Sequence, residues 1–103
     1  MNPTVYQSGI VDVKFGEGVK IVAPVNIYGC TVGNQCFIGP FVEIQKDVVI
    51  GDKTKIQSHA FICGLVTIGN NCFVGHGVMF INDVFSKGSP AGGDQSMWKP
   101  TKV

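Results

Sequence analysis

The sequence is poor in charge: Lys and Arg together number 8, Asp and Glu 7, and the formal net charge is +1. With only 15% charged residues there is no basic field to hold nucleic acid and no cationic face for a membrane surface. No apolar run approaches the roughly 18 residues needed to span a bilayer. The opening residues lack a charged start followed by an apolar block, so no secretory signal is read and the expected location is the cytoplasm. Cysteine occurs at Cys30, Cys36, Cys63 and Cys72 without any CxxC pair, which argues against a zinc ribbon. In a reducing cytosol these thiols read as small hydrophobes, three of them inside the core. A length of 103 residues leaves room for one small domain.

What the sequence does have is a repeat. Stepping by six from Val32 gives Ile38, Ile44, Ile50, Ile56, Ile62, Ile68, Val74 and Phe80, all aliphatic or aromatic. Two places before each stand Cys30, Cys36, Val42, Val48, Thr54, Ala60, Val66, Cys72 and Val78, all small or β-branched. Upstream, Phe15, Ile21 and Ile27 continue the first column, preceded by Val13, Val19 and Val25. The step from Ile27 to Val32 is one residue short, which tightens one corner. Two inward residues around one outward residue make a short strand, because strand side chains alternate. The rest of each hexad turns a corner, with Gly33, Gly39, Gly51, Gly69 and Gly75 expected to supply corner backbone angles. A period of six leaves no continuous stripe on a helix. Three hexads per turn predict an all-β triangular prism, a parallel β-helix of about four coils stacked at strand spacing. The expected division is a lead-in over 1–12, the β-helix over 13–83, and a loop or arm with the start of a further coil over 84–103.

A coil of 18 residues makes the exterior readable. One corner holds Asn34-Gln35, Asp52-Lys53 and Asn70-Asn71 and should face water. The next holds Pro40-Phe41, Ser58-His59 and His76-Gly77, so the chain's two histidines should be near neighbours. One face beside it shows Phe37, Lys55 and Phe73, the other Glu43, Phe61 and Met79. Exposed aromatic ladders mark interfaces. Phe37, Phe41, Phe61, Phe73 and Met79 are therefore expected to join copies into a closed homotrimer. The third corner reads Lys46-Asp47, Gly64-Leu65 and Asn82-Asp83, after which 84–100 is a Gly-, Pro- and Ser-rich excursion containing Trp98. Long loops on rigid scaffolds are often binding elements.

The segments IGPFVEIQ (38–45), VVIGDKTKIQSHAFI (48–62) and VTIGNNCFVGHGVMFIND (66–83) resemble the hexapeptide-repeat, or isoleucine-patch, acyltransferases, and among them nucleotide-amino-sugar N-acetyltransferases. The resemblance, not the spacing, implies a left-handed coil, against the usual right-handed crossover rule. It also implies a trimer in which acetyl-coenzyme A lies between prisms and an amine or hydroxyl of a sugar or similar small acceptor attacks it. Such chemistry needs a proton acceptor and polar groups for the oxyanion. His59 is the first choice as base and His76 the second. Asn82 and Asp83 match the family's substrate-contacting turn, Gln57 and Glu43 are placed near the same groove, and Trp98 is a cofactor-side candidate. Family members normally continue for several more coils, so the chain reads as a truncated relative.

Two other functions fit the same residues. A non-catalytic trimeric scaffold, or an inactive relative, needs only the prism and its apolar corner. A trimeric zinc hydratase would need three ligands, which two histidines per chain could supply only across subunits; no metal is expected.

Overall fold

The computed structural model describes residues 2–83 and 95–103. The chain winds as a left-handed parallel β-helix. It opens with β1 (Ile10–Val11), β2 (Lys14–Phe15), β3 (Lys20–Ile21) and β4 (Asn26–Tyr28). The next coil carries β5 (Thr31–Val32), β6 (Phe37–Ile38) and β7 (Glu43–Ile44), and the one above it β8 (Val49–Ile50), β9 (Lys55–Ile56) and β10 (Phe61–Ile62). Then come β11 (Val66–Ile68) and β12 (Phe73–Val74), a 3-10 turn over Gln95–Met97, and β13 (Thr101–Lys102). Three parallel sheets form the walls of the prism. Sheet A runs β1-β4-β7-β10, sheet B runs β2-β5-β8-β11-β13, and sheet C runs β3-β6-β9-β12.

The inward columns are the core. Ile27, Ile44 and Ile62 stack behind sheet A, Val32, Ile50 and Ile68 behind sheet B, and Ile38 and Ile56 behind sheet C, each no more than 1% exposed. Full burial of such a side chain is worth roughly 1.5–3 kcal/mol relative to exposure, so the repeated column is the principal source of stability. Thr54 is the one polar member of the small column, and the backbone of the coil above satisfies it. Its Oγ1 donates to Gly69 O at 2.7 Å and accepts from Cys72 N at 3.2 Å. Below it, Cys36 Sγ donates to Gly51 O at 2.9 Å. The columns loosen in the last hexad: Val78 is 38% exposed, and Met79 joins Phe61 only through an isolated bridge.

Register follows step length. Ile10 faces Ile27 and Asn26 faces Glu43, an offset of 17, because the step between sheets A and B is five residues in the lower coils. Above, Phe37 faces Lys55 and Phe61 faces Glu43, an offset of 18. Strand β1 lies inside the segment read as a lead-in, and β13 pairs with β11 as the first wall of a further coil. The excursion expected over 84–100 lies outside the described residues as far as 94.

The glycines that follow the aliphatic column do a different job from the one expected. The left-handed backbone angles at the corners fall two residues later, on Gln35, Lys53, Asn71, Phe41 and His59. Gly33 is needed instead because coils touch there: a Cβ on it would lie 2.7 Å from the Gly51 carbonyl carbon and 2.5 Å from Asp52 Oδ1. The same corner is held by a ladder of side-chain caps. Asn34 Oδ1 accepts from Glu17 N at 2.8 Å, Asp52 Oδ1 from Asn34 N at 2.8 Å, and Asn70 Oδ1 from Asp52 N at 2.7 Å. Polar residues are required there for these bonds as well as for contact with water.

Three cysteines are buried, but Cys63 takes the place expected for Cys72. Cys72 sits in the column behind β12, the last strand of sheet C, and is only half-buried. Burial pushes the Cys30 thiol up from 9.0 to about 11, and pushes Cys63 up as well. A raised thiol pKa keeps the folded form protonated while the unfolded thiol ionises. Stability from Cys30 is thus complete below pH 9 and is lost as pH rises toward 11. The expected loss is about 2–3 kcal/mol across that window. Chemical denaturation at pH 8 and pH 11 tests it, since Cys30→Ala should lessen the difference and leave the part due to Cys63; an equally steep fall in the variant would exclude Cys30 as a source.

Candidate functional site

The corner between sheets C and A carries the chain's two histidines. Each coil crosses this corner in two residues: Pro40-Phe41, Ser58-His59, then His76-Gly77. Backbone bonds tie the levels together. His59 N donates to Pro40 O at 3.2 Å, and Gly77 N donates to Ser58 O at 3.0 Å. Gly39 packs so closely beneath that a Cβ there would sit 3.0 Å from Ser58 N. The side chains therefore project from a backbone with little freedom to move.

On this frame Ser58 Oγ lies 2.9 Å from His76 Nδ1. The His59 ring, whose backbone has φ 65°, stacks on Phe41 with centroids 5.0 Å apart and planes 29° from parallel. Both histidines are exposed. Around them Phe41, Phe73 and Met79 are 58%, 68% and 67% exposed, while Phe37 and Phe61 are half-buried. The corner thus joins two imidazoles and a hydroxyl to an apolar rim.

The other candidates lie elsewhere on the prism. Glu43 is on the outer face of sheet A, where its Oε1 accepts from Asn26 Nδ2 at 3.3 Å and its Oε2 from Gln45 Nε2 at 3.1 Å. Tyr28 is beside them. Burial first, and then the Glu43 carboxylate, raise its phenol pKa, against the hydrogen bond with Gln45. At the corner between sheets A and B, Asn82, Asp83 and Trp98 meet Gln45, Phe61 and Cys63 around a hollow of about 320 Å³. Asn82 is a loop anchor there: its Nδ2 donates to Gly64 O at 3.0 Å and its carbonyl accepts from Lys99 N at 2.6 Å.

Gln57 faces away from this set. With Lys20, Gln35, Phe37 and Lys55 it lines a trough of about 630 Å³ on the outside of sheet C. Glu43 and Gln57 of one chain therefore do not share a groove, because corner residues turn the chain between them. One prism puts His59 and His76 at one corner, with His76 on Ser58 and His59 on Phe41, and brings Asn82 to Asp83 and Trp98, but sheet A separates the two groups. Gln45 and Tyr28 were not singled out from the sequence, since outward residues carry no periodic signature. Ser58 stood in the same stack as His76, and that 18-residue stacking is the signal that could have marked it.

Among the described residues no three His, Cys, Asp or Glu side chains gather in a metal-sized group within one chain. No helix among them is long and apolar enough to cross a membrane.

Residues 29–64 match the family model described as bacterial transferase hexapeptide (six repeats). The bifunctional protein GlmU of Sphingopyxis alaskensis is 41% identical over 44 residues, which is 43% of this chain and 10% of that protein. The chain thus matches only a small part of that relative's length. The inward columns continue through three parallel walls on both sides of the segment that matches this hexapeptide-repeat model.

Proposed function

We propose that this chain transfers an acyl group, acetyl in the simplest case, from acyl-coenzyme A to an amino or hydroxyl group of a sugar or similar small acceptor. It acts as a cytoplasmic homotrimer. The observation that carries the reading is the histidine corner, with Ser58, His59 and His76 fixed on stacked turns of a transferase-family coil. Attack on a thioester needs a base for the acceptor's proton. His59 is our choice for that role, because its ring stacks on Phe41 and the residue is exposed at the corner. Phe37, Phe41, Phe61, Phe73 and Met79 would pack this corner against a second copy, and cyclic closure buries such a patch without open polymerisation.

Calorimetry with acetyl-coenzyme A and light scattering test the two halves together. The expected result is a trimer that binds the thioester. No heat at about 1 mM ligand, the upper end of ordinary KM values, would overturn transfer, and a monomer would overturn the interface. The anchoring of Asn82 to Gly64 favours a second reading, a trimeric scaffold without activity, because it commits that amide to the fold. The scaffold predicts the same trimer with no thioester binding.

A further inference from the structure

We propose that the trough on sheet C takes sheet A of a second copy, with that copy's Glu43 held between Lys20 and Lys55, so that two chains build the groove beside the histidine corner. The proposal rests on the homotrimer reading and assigns the faces that meet in it.

Each of the two sheets that flank the corner carries an outward column. On sheet C the register runs Lys20, Phe37, Lys55, Phe73, a cation and an aromatic ring in alternation. On sheet A it runs Asn26, Glu43, Phe61, Met79. The charges on these columns are not balanced within one chain. Both Glu43 oxygens are met by uncharged amides, those of Asn26 and Gln45. Neither Lys20 nor Lys55 has an ion-pair partner among the described residues. The two lysines instead line the trough of about 630 Å³, with Phe37 between them in register. A half-buried carboxylate on one face and an open pair of lysines on the other are complementary halves of a contact.

Symmetry decides how the halves can meet. Rotation about an axis parallel to the prism returns each coil to its own level, so equivalent coils face each other. Phe37 and Glu43 are six residues apart on one coil. Sheet C of one copy therefore meets the next copy's Glu43 near the level of Phe37. Lys20 and Lys55 stand one coil below and above Phe37, a step of about 4.8 Å. A flexible four-carbon stem carries each ammonium across that distance. Lys55 also comes level with the neighbouring copy's Phe61, a cation against an aromatic ring. At the top of the columns the exposed Phe73 meets the exposed Met79. Sheet C against sheet C would set lysines together with no carboxylate on either column. Sheet A against sheet A would set two Glu43 carboxylates together with no lysine. The seam is therefore heterologous, and its ring closes about the corner that joins sheets C and A. Gln57, which lines the trough, then shares a groove with the neighbouring copy's Glu43, a pairing that one chain cannot provide.

The test is carbodiimide cross-linking of the full chain, which joins a lysine to a carboxylate in contact, followed by peptide mapping of the covalent multimers. The expected link runs from Glu43 to Lys20 or Lys55, present in multimers and absent from monomer. Multimers linked only at other residues overturn the seam. Light scattering supplies the second arm. Glu43→Lys should weaken assembly by about 100-fold or more, because like charges then face each other across the seam. Lys20→Glu combined with Lys55→Glu should do the same. The triple variant, with the charges exchanged, should recover the trimer, and circular dichroism checks that each variant keeps its β-structure. A trimer unmoved by either exchange overturns the seam and leaves the homotrimer reading standing, as does a folded triple variant that stays apart. A monomeric wild-type chain overturns both.

Discussion

Glutamine in place of His59 is expected to lower turnover by about 100-fold or more, with little change in KM for either substrate. Glutamine keeps a planar polar group of similar reach on Phe41 but cannot accept and return a proton. An interaction made only in the transition state shows as a loss of kcat, whereas a lost ground-state contact raises KM. Phe41→Ala should act through His59 instead, by releasing a ring now held at 5.0 Å. Its effect should therefore be smaller than that of His59→Gln and should vanish in the His59→Gln background. Steady-state kinetics of the two single variants and the double variant decide the matter. Additive losses would mean that Phe41 contacts substrate or a neighbouring copy rather than positioning the imidazole.

Gly51→Ala is expected to be among the most damaging small changes in the wall of the prism. Its Cβ would stand 2.7 Å from the carbonyl carbon and 2.8 Å from the oxygen of Gly69, and backbone of the coil above cannot swing aside as a side-chain tip can. Overpacking of this kind costs about 1–3 kcal/mol, and in a domain of this size each kcal/mol lowers Tm by roughly 4–8 °C. The same substitution one coil higher should be milder, since a Cβ on Gly69 meets Val103 O at 3.3 Å. At Gly75 the nearest atom is a Val78 methyl at 3.9 Å, so Gly75→Ala should be nearly neutral. Thermal melts of the three variants should rank in that order. Equal losses would mean that backbone freedom, not coil contact, sets the cost.

The core was legible because a period of six on two coupled columns maps onto inward positions with no other information. Ile38, Ile44, Ile50, Ile56 and Ile62 needed only counting to be placed. The short step from Ile27 to Val32 also foretold the tighter corner. Glycine function was not legible from type alone: the residue that tolerates unusual angles is also the one that lets coils touch, and only the backbone separates the two. The candidate site was legible as a stack but not as a set of contacts. Spacing placed His76 over Ser58, yet the hydrogen bond depends on rotamers that the repeat does not constrain. The resemblance places Gln57 and Glu43 near one groove, but the corner between them, with Phe41 and His59 in left-handed backbone, turns them onto different faces. Cys63 escaped because it lies at a corner rather than on either column.

The change of offset from 17 to 18 has a consequence for how such a chain can alter its length. Away from its corners, a prism of this kind can lengthen or shorten only in whole circuits. Removal of one circuit would bring the next set of inward residues onto the same walls and leave every column continuous. A deletion of one or two residues within a strand would instead turn core side chains outward for the rest of that wall. Length is in effect quantised, and the five-residue steps mark the one edge of the triangle where a single residue has been dropped without breaking the sequence of walls. Variation between related chains should therefore collect in two places: entire circuits, and the edge that joins sheets A and B, where Gly29, Asp47 and Leu65 already turn with steps of unequal length.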